Sequence, residues 1–192
     1  KISPDGAWIA YALTPQEGDG ELVVRNLKTN AEIRAPRGRD PLITSDNTFV
    51  VYAIAPLKKD VDQARKAKRK PEDMPKNGVG IVNLATGQAT TVAEHVKNFR
   101  VPDDTPKIVV YLTVAAETGA DTGANGRAAS PKTREKKPSG TDLVIRDLAS
   151  GAQTTVAEVS DYALSKDGAW LVYAVSSKTA VHDGAFARSM AS

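Results

Sequence analysis

The 192-residue chain contains no cysteine, which excludes a disulfide framework, thiolate metal sites and a cysteine nucleophile. Its two histidines, His95 and His182, lie too far apart in the sequence to show metal-ligand spacing. No apolar run approaches the roughly eighteen residues that a membrane-spanning helix needs. No serine sits in a G-x-S-x-G elbow, and no G-x-x-x-x-G-K phosphate loop occurs. The sequence therefore nominates no catalytic residue, no cofactor-binding residue and no metal ligand. An initiator Met is also missing. Lys1-Ile2-Ser3 reads as the end of a strand, so the chain is expected to begin inside a larger protein, where a missing signal peptide says nothing about secretion.

What is present is an ordinary globular composition, 41% hydrophobic and 26% charged, with a net charge of +3. The charge is unevenly placed. Lys58 to Lys70 carries +5 and Arg127 to Lys137 carries +4, which leaves the remainder of the chain at −6. The body is acidic and the basicity is local. A nucleic-acid groove wants basic residues spread over one face with aromatics among them for stacking. Neither basic stretch contains an aromatic residue. Neither nucleic acid nor a membrane is expected as a partner.

Self-comparison reveals four copies of one segment: ISPDGAWIAY from Ile2, ITSDNTFVVY from Ile43, FRVPDDTPKIVVY from Phe99 and LSKDGAWLVY from Leu164. Each is followed by a second segment: ELVVRNLKTNAEI from Glu21, VGIVNLATGQATTV from Val79, DLVIRDLASGAQTTV from Asp142 and AFARSMAS from Ala185. From the Leu of the second segment to the next copy is 16, 15 and 16 residues, and Tyr11 to Tyr52 spans 41. That is the period of a propeller blade. Length varies in one place only, between the Tyr and the following Leu or its equivalent, where the gaps are 16, 32, 37 and 17 residues.

Each copy resolves into four strands, a to d. Strand a is short and ends in a turn such as Ser3-Pro4-Asp5-Gly6, where Pro presets φ, Asp bonds nearby backbone and Gly takes positive φ. The recurring Asp5, Asp46 and Asp167 are explained by that capping role. Strand b (Trp8 to Leu13, Phe49 to Ile54, Ile108 to Val114, Trp170 to Val175) is an almost continuous β-branched and aromatic run, the pattern of a strand buried on both faces. Strand c begins near Leu22 and its equivalents, and a tight turn such as Thr86-Gly87 leads into strand d.

The expected fold is all-β: a partial propeller of four-stranded antiparallel blades, about three and a half to four of them in an open arc. The approximate blade limits are 1–40, 41–96, 97–159 and 160–192, the last incomplete, all within one domain. Sheets of this kind bury their faces against neighbouring blades, so the two terminal faces should be bare, apolar and prone to self-association.

Two insertions, about 56–78 and 117–140, both fall between strands b and c. In an antiparallel blade the b–c loops and d–a connections emerge on one rim and the a–b and c–d turns on the other, so both insertions share a rim. In the first, Leu57, Val61, Ala64 and Lys68 lie on one helical face. Asp60 and Asp62 stand at its start and a Lys/Arg run at its end, complementing the helix dipole, with Pro71 as the expected stop. The second is rich in Gly, Ala, Ser and Lys without large apolar residues, and is expected to be a mobile loop.

These motifs, above all KRKPEDMPKNGVGIVNLATGQ followed by VKNFRVP, resemble the N-terminal propeller of bacterial peptidases of the prolyl oligopeptidase family over essentially the whole chain. The S-x-D-G-x-x-hydrophobic-Y element is shared with TolB-like propellers, which leaves a protein-binding propeller without a peptidase domain as the alternative. The peptidase resemblance implies a C-terminal α/β-hydrolase domain bearing a Ser-Asp-His triad. It also implies a propeller that restricts access to short or unfolded peptide substrates, and a periplasmic or secreted bacterial location. None of the triad positions exists in this sequence, so the chain alone is expected to be inactive.

Overall fold

A computed structural model describes residues 1–114, 139–177 and 179–190. The expected loop at 117–140 lies almost wholly outside these residues. β1 (Trp8–Leu13), β2 (Glu21–Asn26) and β3 (Glu32–Pro36) form one antiparallel sheet, which Ile2 extends by a bridge to Ile9. There follow β4 (Gly38–Ile43), β5 (Phe49–Ile54), helix α1 (Lys58–Lys66), β6 (Asn77–Asn83), β7 (Gln88–Arg100) and β8 (Ile108–Thr113). The chain continues with β9 (Thr141–Asp147), β10 (Gln153–Leu164), β11 (Trp170–Val175) and β12 (Gly184–Ser189). From β4 to β12 every strand pairs antiparallel with its neighbours in chain order.

That unbroken pairing arises from two strands that each serve two sheets. The first half of β7 pairs with β6 and the second half, Val96 to Arg100, pairs with β8. Likewise β10 pairs with β9 up to Val159 and with β11 from Val159 to Leu164. Each is thus strand d of one blade running on into strand a of the next. The bends sit at His95 (φ 56) and Glu158 (φ 58), and Arg37 (φ 59) occupies the same place between β3 and β4. Left-handed backbone costs a non-glycine residue about 1–2 kcal/mol. At all three bends the carbonyl of that residue accepts a hydrogen bond at 2.8 Å: Arg37 from the Ala55 N–H, His95 from the Val114 N–H and Glu158 from the Ser176 N–H. One recurring bond therefore pins each crossing to the end of the next strand b.

The faces created by these bends stack. Ala10, Leu22 and Val24 of the first blade bury against Val50, Tyr52, Ile54, Val82 and Leu84 of the second. Val51, Val79 and Ile81, on the second blade's other face, meet Val101, Val109, Tyr111, Val144 and Leu148 of the third. Val110, Leu112, Leu143 and Ile145 meet Val159, Tyr162 and Leu171 of the fourth. Alternate residues of β5 and of β8 thus point into two different cores, which is why strand b reads as a continuous apolar run. At the last junction the Tyr162 hydroxyl donates to the Val110 carbonyl at 3.0 Å, and burial pushes its pKa up. Strands b and c differ from the sequence reading only at their ends, β8 stopping at Thr113 and β2 starting at Glu21, whereas strands d and a, read as separate, run on as the single strands β7 and β10.

One close approach sets the second blade's packing. The Tyr52 ring lies directly over Gly80, and a Cβ there would overlap the ring's Cζ. Tyr52 is itself nearly fully buried, so the ring has nowhere to retreat. Gly80→Ala is expected to destabilise the fold by about 1–3 kcal/mol, read as a lower urea midpoint; an unchanged midpoint would show that the ring is not confined.

Candidate functional site

His95 is exposed at the β7 bend, and His182 is exposed in a 3-10 turn, Ala180–His182, before β12. Among the described residues no group of three or more His, Asp or Glu side chains is disposed to hold a metal ion.

The recurring aspartates are turn caps. Asp5 accepts from the Ser3 hydroxyl at 2.5 Å and the Ala7 N–H at 3.0 Å, while Ser3 Oγ accepts from the Trp8 N–H at 2.9 Å. Ser165, Asp167, Ala169 and Trp170 repeat this set with the same distances. In the second copy Asp46 accepts from the Thr48 N–H and Thr44 Oγ1 from the Phe49 N–H. A second set of caps was legible only in hindsight. Asn26, Asn83 and Asp147 each accept from the two N–H groups at positions two and three further on, closing the c–d turns. The signal was the recurrence of NLKT, NLAT and DLAS. Both sets lie on the a–b and c–d rim.

The opposite rim carries the insertion and the open space. Helix α1 ends at Lys66, four residues short of the expected stop at Pro71. Lys68 turns left-handed (φ 51), and the Arg69 N–H bonds back to the Ala64 carbonyl, closing the helix before the proline. Ala64 is buried and Val61 half-buried, whereas Lys68, beyond the helix, is exposed. Leu57 at the N-cap has no capping side chain. The acceptor comes from the first blade instead: the Lys58 N–H donates to the Asp19 carboxylate at 2.8 Å, and Lys58 Nζ donates to the Gln16 carbonyl at 2.5 Å. The b–c loop of one blade thus caps the helix of the next.

Below this strap, Leu13, Pro15, Asp19, Pro36, Arg37 and Leu57 border an open cavity of about 790 Å³. A smaller one of about 290 Å³ lies beyond Arg37, where Asp60, Lys76, Glu94 and His95 meet. The outer side of the helix and the segment after it expose Lys59, Arg65, Lys66, Lys68, Arg69 and Lys70. Of these only Lys70 has an ion pair among the described residues, to Glu72 at 3.9 Å, an exposed pair of little energetic weight.

No family model and no curated protein matches the chain. Among solved structures, the β-propeller domain of the Trilobed protease from Pyrococcus furiosus, described as having an open velcro topology, superposes with a TM-score of 0.52 at 14% identity. The match covers 96% of this chain and 54% of that one. The chain has a β-propeller fold. A eukaryotic initiation factor gives a TM-score of 0.51 at 14% identity, covering 98% of this chain and 40% of that one. Pyrococcus horikoshii acylaminoacyl peptidase follows at 0.49 and 13%, covering 90% of this chain and 27% of that one. The propeller therefore spans about half the length of the first of these chains and about a quarter of the last. At such identities the likeness speaks for the fold alone.

Two expectations follow from the caps and the strap. Hydrogen bonds hold the carboxyls of Asp5 (from the Ser3 hydroxyl and Ala7 N–H), Asp147 (from Ser150) and Asp167 (from Ser165 and Ala169) below the ordinary value of 3.8. A folded-state pKa lowered in this way adds stability that is present above the ordinary value and lost as pH falls through the folded-state value. Replacing all three by Asn keeps the acceptor oxygens, so melting temperatures taken from about pH 5 down to pH 2 should fall less steeply than for the unaltered chain; an identical slope would show that these groups do not titrate with folding. Asp19→Ala should cost about 1 kcal/mol, as lost helix caps do. It should also speed tryptic cleavage within Lys58 to Lys70, measured by mass spectrometry of the first fragments released.

Proposed function

We propose that the chain is the non-catalytic propeller of a serine peptidase of the prolyl oligopeptidase family, acting as a gate and docking surface for an α/β-hydrolase domain. The observation that carries this reading is the insertion rim. There the PEDMP segment, on which the family resemblance rests, follows a helix strapped across two blades, and the cavities open beside it. A rigid rim with an exposed basic face is a surface on which a second domain can seat and past which a peptide can be sorted by size. Only extended peptides would pass between rim and hydrolase, which accounts for a propeller that needs no reactive group of its own. A periplasmic or secreted location in a bacterium belongs to the same proposal and rests on the resemblance alone.

A second reading is a propeller that binds proteins in the TolB manner with no peptidase domain. It rests on the S-x-D-G-x-x-hydrophobic-Y element, which TolB-like propellers share.

The two readings separate at the gene. Read through beyond Ser192, it should encode a G-x-S-x-G elbow followed by Asp and His under the first reading, and further blades and a stop under the second. The pure 192-residue chain should neither hydrolyse short peptides nor take a covalent label from a fluorophosphonate. Hydrolysis abolished by that reagent would sink the non-catalytic assignment.

A further inference from the structure

The blades do not seal alike along their outer strands. Where the first blade meets the second, Ile33 of β3 packs against the cluster that holds Val82 and Leu84, and Val82 is 0% exposed. Ile33 also reaches the c–d turn, its Cδ1 lying 3.9 Å from where a Cβ on Gly87 would stand. Where the second blade meets the third, the register puts Thr90 at the place of Ile33 and Arg146 at the place of Val82. Thr90 pairs with Ile81 as Ile33 pairs with Val24, and Arg146 pairs with Val109 as Val82 pairs with Val50. A small polar side chain and a cation thus line this second junction, which stays open as a cavity of about 200 Å³.

Phe49, Ile81 and Leu148 form the apolar part of the lining, and Gln88, Thr90 and Arg146 the polar part. The three apolar residues belong to the core between these blades, so the cavity continues a packed interface out to its edge. Arg146 is half-buried, and its one hydrogen bond among the described residues runs from Nη1 to the Gly151 carbonyl at 3.1 Å. Its Nε is shielded from water and finds no acceptor, and none of the ion pairs among the described residues involves it. The adjacent Asp147 carboxylate is taken up by the c–d turn, where it accepts from the Ala149 and Ser150 N–H groups. A charge withdrawn from water is costly unless it is paired, and a guanidinium presents planar N–H donors that match a carboxylate.

We propose that this groove binds a peptide carboxylate carried beside an apolar group, Arg146 holding the carboxylate and Phe49, Ile81 and Leu148 the apolar part. The unpaired cation selects the anion, and the three apolar side chains select what accompanies it. At about 200 Å³ the space lies below the roughly 300–1,000 Å³ of pockets for drug-sized ligands, so it takes a single residue of an extended peptide. Both walls come from the second and third blades, and the groove opens beside their c–d turns, on the rim opposite helix α1. It therefore stands apart from the docking rim and is independent of the peptidase reading.

The test is a proton–nitrogen correlation spectrum of the 192-residue chain titrated with three probes: N-acetyl-leucine, its neutral amide, and N-acetyl-glutamate with the α-carboxyl amidated. A carboxylate probe should shift the amides of Gln88, Thr90, Arg146 and Gly151. The neutral amide should bind at least about tenfold more weakly, because it forfeits a charge-assisted hydrogen bond. Tighter binding of N-acetyl-leucine places the carboxylate at a chain end, and tighter binding of the glutamate probe places it on an acidic side chain; either supports the site. Two variants check the walls. Arg146→Val installs the residue of the sealed junction, while Thr90→Ile fills the space from the other side and keeps the arginine. Each should weaken the preferred probe at least about tenfold, with resonances elsewhere unchanged. If Arg146→Val fails to fold, Thr90→Ile decides alone. The proposal is overturned if neither carboxylate moves these amides, if the neutral amide binds as well as the acid, or if a folded variant binds as well as the unaltered chain.

Discussion

β5 and β8 each carry two apolar faces at once, and the molecule depends on covering both. Val50, Tyr52 and Ile54 need one neighbouring blade and Val51 needs another; Val109 and Tyr111, then Val110 and Leu112, repeat the demand. Burying one such side chain fully is worth about 1.5–3 kcal/mol, more than the roughly 0.5–1.5 kcal/mol net of a typical hydrogen bond. The order in which blades stack is therefore set by side-chain burial, while the bonded bends at Arg37, His95 and Glu158 fix where one blade hands over to the next.

This division of labour separates the molecule into parts with different freedom. The a–b and c–d turns on one rim are short and capped by Ser, Thr, Asn and Asp. The opposite rim tolerates insertions because a loop leaving the end of strand b need not disturb the stacked faces. The chain uses that tolerance to place helix α1 and its basic segment there, held by an acceptor borrowed from the preceding blade. A surface for recruiting another domain can be changed on such a rim without touching the core, which is the physical basis of the docking role proposed for it.

Much of the fold was legible because the repeat spells out its own sheet. The limits of β1, β5 and β11 coincide with the apolar runs read from the sequence, and the Ser-x-Asp turns cap as their chemistry demands. The crossings were not legible. Arg, His and Glu occupy the three bends, and none of them announces a left-handed conformation as glycine would. They adopt it because strand d of one blade must leave its sheet to become strand a of the next, and a backbone bond at the next strand end repays part of the strain. The strap was hidden for a similar reason: Asp19 and Lys58 are 39 residues apart, and nothing in either neighbourhood points to the other.

Periodicity, turn chemistry and the two-faced strands are local properties, so the amino-acid order alone determined that this protein is a stack of four-stranded units with its insertions on one rim. Which helix end is capped by which loop, where His95 and the basic residues come to lie, and which apolar faces stay uncovered are relations between distant segments. They exist only once the blades have packed, because burial is a property of neighbours and not of a residue. Val51 and Val172 show this most simply: the same side chain at the same place in the repeat is sealed in one blade and open to water in the other.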